Sequence, residues 1–258
     1  MAQPRVLVLR APGANCDFET QYAFEAAGGR VERLHVNRLL EKPDLLKQSQ
    51  VLCIPGGFSY GDDVGAGKIL GNQIRLHFYD AIQRFRDDGK LILGVCNGFQ
   101  VLIKSGVLLP FASAADAPAT LTWNDSGRFE DRWVHLETDG QKSVFFSGIE
   151  TMFLPVAHAE GKFVPRNETV LEELERNGQL VLRYRRALPV GQTVPYPENP
   201  NGSVGNVAAV CDPTGRICGL MPHPERHIDP LQHPQWTRHK AEVGDGLRVF
   251  QNAVNYFK

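Results

Sequence analysis

The stretch Leu91-Ile92-Leu93-Gly94-Val95-Cys96-Asn97-Gly98-Phe99-Gln100 constrains the fold more than any other part of the chain. Leu91 to Val95 is a short apolar run of the kind that forms a strand buried on both faces. Beyond it, Phe99, Val101, Leu102 and Ile103 supply a packed helix face, which Ser105-Gly106 stops. Cys96 therefore falls on a strand-to-helix turn, with Gly94 before it and Gly98 after it. That is the nucleophile-elbow pattern with cysteine in place of serine. Tight turns need small neighbours, and this one pushes the side chain out above the strand ends. The free N–H groups of the helix N-terminus then favour a thiolate over a thiol. A lone cysteine is otherwise most often a small buried hydrophobe, so partners elsewhere in the chain must decide.

Strands and helices alternate through the first 105 residues. Arg5–Arg10 reads as a first buried strand, and a helix follows from about Phe18 to Ala27, closed by Gly28-Gly29. Arg30–Val36 alternates like an outer strand, and Val51–Ile54 is a third strand ending at Pro55-Gly56-Gly57. A long helix is predicted over roughly Ala66 to Asp88, stopped by Gly89. This order predicts an α/β fold with an open, mainly parallel sheet flanked by helices. Ligands of such sheets bind beyond the carboxyl ends of the strands, where Cys96 and Gly56-Gly57 both fall. Residues 110–165 read as strands that extend or flank the sheet. Thr169–Asn177 reads as a helix, Leu180–Tyr184, Val204–Val210 and Ile217–Met221 as strands, and Gly246 to Phe257 as the last helix. No repeat or linker divides the 258 residues, so a single domain over 1–258 is expected.

Composition narrows the function classes. A formal net charge of −1 with 22% charged residues leaves no electrostatic footprint for nucleic acid or a membrane surface. The apolar run Val6 to Leu9 is too short for a signal peptide or a membrane span. Five cysteines, at 16, 53, 96, 211 and 218, are an odd number without a C-x-x-C pair. Reduced thiols in a cytoplasmic protein are expected, without a disulfide framework or a metal site.

Pro55-Gly56-Gly57-Phe58-Ser59-Tyr60-Gly61-Asp62 fails as a phosphate loop. Asp62 stands where a Walker loop needs its first glycine, and Ile69 replaces its Ser/Thr. What remains is a run of exposed backbone N–H groups beside a thiol. It suits an oxyanion hole, one N–H coming from this loop and one from Asn97, the residue after the nucleophile. His223 stands out among eight histidines because of its setting, Met221-Pro222-His223-Pro224-Glu225-Arg226. A residue before proline is pushed into extended conformation, which turns Glu225 to the same side as His223. A carboxylate there can hold the imidazole tautomer and stabilise its protonated form. A proline-stiffened loop with a surface ion pair is the other reading. His227, His233 and His239 recur without metal-ligand spacing, Arg183–Arg186 reads as a solvated strand end, and Asn199–Ser203 is turn chemistry.

Taken together these residues resemble the class I (triad) glutamine amidotransferases, most closely those that serve phosphoribosylformylglycinamidine synthase in purine biosynthesis. The marks are Gly94–Gln100, Pro55–Asp62, Asn124–Glu130 with Arg132-Trp133, Ala157–Phe163, Asn199–Ser203 and Met221–Arg226, in the family's order along nearly the whole chain. The resemblance implies a flavodoxin-like sheet and a catalytic triad of Cys96, His223 and Glu225. It implies oxyanion donors at Gly57 and Asn97, and substrate contacts at Gly56 and Gln100. Glutamine would be hydrolysed through a Cys96 thioester, and ammonia would pass to a synthetase subunit, with or without an additional small subunit. No metal or cofactor is implied in this chain; ATP and Mg²⁺ would act on the synthetase partner. Two rival functions remain open at this point: a cysteine-dependent peptidase or hydrolase on a related sheet, and a non-catalytic regulatory subunit.

Overall fold

The computed structural model describes residues 3–139, 142–185, 194–238 and 241–258. Arg186 and His239 lie outside the described residues. Strands β1 (Arg5–Arg10), β3 (Val51–Ile54) and β4 (Leu91–Val95) form where apolar runs predict them, and β2 (Arg30–His35) is the outer strand of the block. Every residue of β3 and β4 is buried, which is why these strands read as unbroken apolar runs rather than as alternation. Among the described residues they belong to one nine-stranded sheet that continues past β4 through β11 (Ile217–Leu220), β10 (Val207–Cys211), β9 (Leu182–Tyr184), β6 (Glu130–Thr138) and β7 (Thr151–His158), in the order β2-β1-β3-β4-β11-β10-β9-β6-β7.

The sheet has two halves. From β2 to β11 (Ile217–Leu220) neighbours run parallel, joined through helices such as α1 (Asp17–Ala26). From β11 onward β10 (Val207–Cys211), β9 (Leu182–Tyr184), β6 (Glu130–Thr138) and β7 (Thr151–His158) pair antiparallel. These are the strands expected to extend the sheet. Two more, β5 (Ala119–Thr122) and β8 (Lys162–Pro165), pair with each other beside it. One hydrophobic cluster runs through both halves, from Val6 and Leu93 to Val134 and Leu154.

Three local expectations change. The helix predicted over 66–88 is divided: α3 (Lys68–Gln73) and α4 (Tyr79–Asp87) flank a π-helical turn at Ile74–Phe78. Gly71 lies against Val101 and Lys104 of α5 (Asn97–Ser105), so α3 follows its packing partner while α4 follows the sheet. The strand predicted from Val204 begins at Val207, because Gly205 and Asn206 are both left-handed (φ 63° and 57°) and turn the chain first. Tyr184 is not part of a solvated strand end: it is buried, and its hydroxyl accepts from Asn201 at 3.0 Å.

Candidate active site

Cys96 sits between β4 and α5 at φ 49°, ψ −104°, a conformation that a residue with a side chain holds only when its surroundings impose it. The neighbours do impose it. A Cβ on Gly94 would lie 2.6 Å from the carbonyl oxygen of Gly98, and a Cβ on Gly98 would collide with the carbonyl of Ile54. Cys96 N–H donates to Leu220 O at 2.7 Å, which fixes the turn to the adjacent strand. Asn97 begins α5, so its N–H is among those left without an intrahelical partner. The thiol itself is buried and donates to Ala157 O over 3.8 Å.

His223 and Glu225 reach the same place from the end of β11. His223 Nδ1 and Glu225 Oε1 are 2.6 Å apart, with both residues almost wholly buried. The contact expected from an extended segment is made by a different local geometry. Pro224–Arg226 is one turn of 3₁₀ helix capped by His223, because Pro224 has the φ of a first helical residue and no N–H to satisfy. His223 N–H donates to Pro155 O at 2.8 Å, tying the turn to β7. Burial alone would lower the pKa of the imidazole. The nearby charges, Glu225 first and then Cys96, outweigh it and push His223 well above its ordinary value. Nε2 of His223 and Oε2 of Glu225 are buried without a hydrogen-bond partner. Leaving such atoms unpaired is costly, so a pair of them marks a place where chemistry rather than stability decides.

Gly56 lies at the centre of this group. A Cβ there would stand 2.9 Å from His223 Cε1, 3.1 Å from Cys16 Sγ and 3.5 Å from Cys96 Cβ. Gly57 has φ +129°, and a Cβ on it would fall 2.6 Å from the backbone of Asn15. The loop that follows is held on two sides: Phe58 N–H donates to Gly13 O (2.8 Å), and Ser59 N–H to Asn97 Oδ1 (3.2 Å). Asn97 Nδ2 donates to Asp62 Oδ1 at 3.1 Å and to Gln100 Oε1 at 2.9 Å. Gln100 Nε2 in turn donates to Glu160 O at 2.6 Å. Cys96, His223, Gly56 and Cys16 thus meet around one point, and Gly57, Asn97 and Gln100 connect to it through short bonded paths.

Sequence reasoning missed two contributors. Cys16, directly before α1, faces His223 from behind Gly56. Its signal was its position past the carboxyl end of a parallel strand, where Cys96 also lies. His158, at the end of β7, is buried with Nδ1 3.1 Å from Asn124 Oδ1 and Nε2 3.4 Å from Asn201 Nδ2. Burial, then the nearby charge of His223, lower its pKa to about 3, so it is neutral. Its partner Asn124 also accepts from Gly161 N–H at 3.0 Å. The histidine tract after the triad has another role: His227 and His233 pack their rings against Trp133 at 5.1 and 5.8 Å.

The chain is similar to known proteins over nearly its whole length. Residues 3–257 match the model of the CobB/CobQ-like glutamine amidotransferase domain. The phosphoribosylformylglycinamidine synthase subunit PurQ of Dehalococcoides mccartyi is 45% identical over 258 residues, covering 99% of this chain and 98% of that protein. The PurQ subunit of Methanococcus maripaludis is 38% identical over 266 residues, covering 98% and 97%. A chain in the structure of PurLQS from Thermotoga maritima superposes with a TM-score of 0.75 at 31% identity, covering all of both chains. A glutamine amidotransferase from Thermotoga maritima shares the fold at a TM-score of 0.53 and 16% identity, over 92% of this chain and 82% of that one.

Proposed function

This chain belongs to the CobB/CobQ-like glutamine amidotransferase family and to its PurQ branch, and on that premise we propose how its residues carry the glutaminase reaction. As the glutaminase subunit of phosphoribosylformylglycinamidine synthase, it supplies ammonia to the synthetase subunit of that enzyme. Cys96 is the nucleophile. Its sulfur attacks the side-chain amide carbon of glutamine, and the oxyanion that forms accepts hydrogen bonds from the N–H groups of Gly57 and Asn97. His223 takes the thiol proton and delivers it to the departing nitrogen, so that ammonia leaves and a glutamyl thioester remains. Water, deprotonated by His223, then releases glutamate and restores the thiol. Glu225 holds Nδ1–H of His223 and stabilises the imidazolium.

Gly56 and Gln100 are the substrate-binding positions in this reading. The missing side chain of Gly56 leaves room beside Cys96. Gln100 is held rigid by Asn97 and Glu160, and each atom of its amide keeps one further hydrogen-bonding position for the substrate. The chain acts as one unit over 1–258, and the reaction as written needs no metal or cofactor within it. ATP and Mg²⁺ serve the synthetase partner, where formylglycinamide ribonucleotide becomes the amidine.

The observation that carries the reading is the buried His223–Glu225 pair at 2.6 Å, with its free Nε2, beside a cysteine on a strained elbow. Docking of the synthetase completes the site through the 56–62 loop, since a free glutaminase would spend glutamine and lose its ammonia to protonation in water. Phe58 on this loop and Phe129 support that role: both are about half exposed and pair at 6.4 Å. Steady-state glutamine hydrolysis is measured with the chain alone, then with the synthetase and its ligands. The partner should raise kcat by about 10²–10³-fold, the worth of one oxyanion donor. Full activity in isolation, unchanged by saturating partner, would remove the switch.

A further inference from the structure

Cys16 has no part in the reaction as written, yet it touches both halves of the machinery. Its N–H donates to Gly56 O at 3.3 Å. Because a trans peptide points its C=O and N–H in opposite directions, this bond also fixes which way the Gly57 N–H faces. Its sulfur accepts from Arg226 Nη2 at 3.2 Å and donates to Asn15 Oδ1 over 3.6 Å. Arg226 is itself anchored, with Nε 2.9 Å from Glu19 Oε1 on α1. The sulfur, a ring nitrogen of His223 and carboxylate oxygens of Glu225 and Glu19 all lie within 4.8 Å of one another. The segment carrying Cys16 is also the template for the glycine-rich loop, since Phe58 and Tyr60 N–H donate to Gly13 and Pro12 carbonyls at 2.8 and 2.7 Å.

We infer that Cys16, braced by Arg226, is a positioning residue that sets the His223 ring and the Gly56–Gly57 peptide in register with each other. The inference rests on Cys96 and His223 acting as proposed above. Cys16 is not a second nucleophile: burial raises its pKa, so it stays a neutral thiol, and its hydrogen bonds to Arg226 and Asn15 orient it. A neutral sulfur at this place supports the imidazolium without competing for the proton that His223 must carry.

The test uses the subunit with its synthetase partner and compares wild type with Cys16→Ala, Cys16→Ser and Arg226→Gln. Cys16→Ala should lower kcat for glutamine about 10- to 100-fold, the cost of a small misplacement of reacting groups, with little change in KM. The titratable groups around His223 are Glu225, Glu19 and Cys16, all within 4.8 Å of its ring nitrogen, together with Cys96 and His158, while Arg226 bonds to both Glu19 and Cys16. Removing the sulfur alone should move the alkaline limb of the kcat/KM profile to lower pH. Cys16→Ser keeps an acceptor for Arg226 and a donor for Asn15, and should recover most of the loss. Arg226→Gln, at a partly exposed position, should shift kcat and the profile in the same direction even where the alanine variant folds poorly. Wild-type kcat and pH profile in folded Cys16→Ala, or in Arg226→Gln, would overturn the inference. So would a serine variant as impaired as the alanine one. Cys96→Ala, run in parallel, separates the two claims: if it is inactive while Cys16→Ala matches wild type, only the positioning role falls.

Discussion

Cys96 and His223 act together in the proposed reaction, but different kinds of contact hold them. The nucleophile is set by its immediate neighbours: β4 before it, α5 after it, and glycines at 94 and 98 that let the turn close against Ile54. The base is set from a distance. His223 takes its place from Pro155 on β7, Gly56 past β3 and Cys16 before α1, and Arg226 reaches Glu19 across the same gap. A locally encoded turn can hold strain because its own strand and helix pay for it. A base assembled from four segments can instead be adjusted by whatever touches any of them. On the proposed mechanism the elbow therefore decides whether the reaction occurs, and the base side decides how well and at what pH.

The largest expected effect lies on the local side. Cys96→Ala should lower glutamine hydrolysis by about 10⁴–10⁶-fold, the range spanned when single members of a triad are removed. Synthesis with added ammonia should survive in the complex, because ammonia bypasses the thiol. Glutaminase activity near wild type in this variant would break the comparison at its root.

On the assembled side, Glu225→Gln keeps a hydrogen bond to His223 but removes a charge that raises the imidazole pKa. The loss in kcat/KM should fall within the roughly 10²–10⁴-fold that a positioned acid–base system contributes, and should be smaller than for His223→Ala. With that charge gone the folded pKa of His223 falls, so the alkaline limb should move to lower pH. A pH–rate profile superimposable on wild type would mean that Glu225 merely tethers the 224–226 turn.

The smallest effect concerns His158, buried at the end of β7. His158 is held neutral with a pKa of about 3, against an ordinary value of 6.5. Between those values the unfolded chain binds a proton that the folded chain does not. Stability from this group is thus complete above pH 6.5 and is lost as pH falls toward 3. In His158→Gln the acid-side slope of unfolding free energy against pH should be shallower by up to one proton. An unchanged slope would show that His158 titrates alike in both states.

The same contrast explains how much could be read from the amino-acid sequence. The parallel strands were legible because burial on both faces leaves a bare apolar run, as in Val51–Ile54 and Leu91–Val95. The elbow was legible because its requirements fall within five residues. Glu225 was found beside His223 through a two-residue spacing, although a 3₁₀ turn rather than an extended segment makes the contact. The π turn at Ile74–Phe78 was not legible, since helical periodicity continues through it and packing on α5 decides it. Nor was Cys16, whose partners are far apart in the chain; the stretches carrying Asn124, His158 and Asn201 stood out only through the resemblance, and the hydrogen bonds between them follow no spacing. Among the described residues no helix is long and apolar enough to cross a bilayer.

The central claim is that one particular sulfur of five forms the covalent intermediate. The complex turning over glutamine is quenched in acid, digested, and its cysteine peptides are examined by mass spectrometry. The account predicts a glutamyl thioester on the Cys96 peptide, absent from Cys96→Ala. A glutamyl group on Cys16 or any other cysteine, or none during rapid turnover, would contradict it.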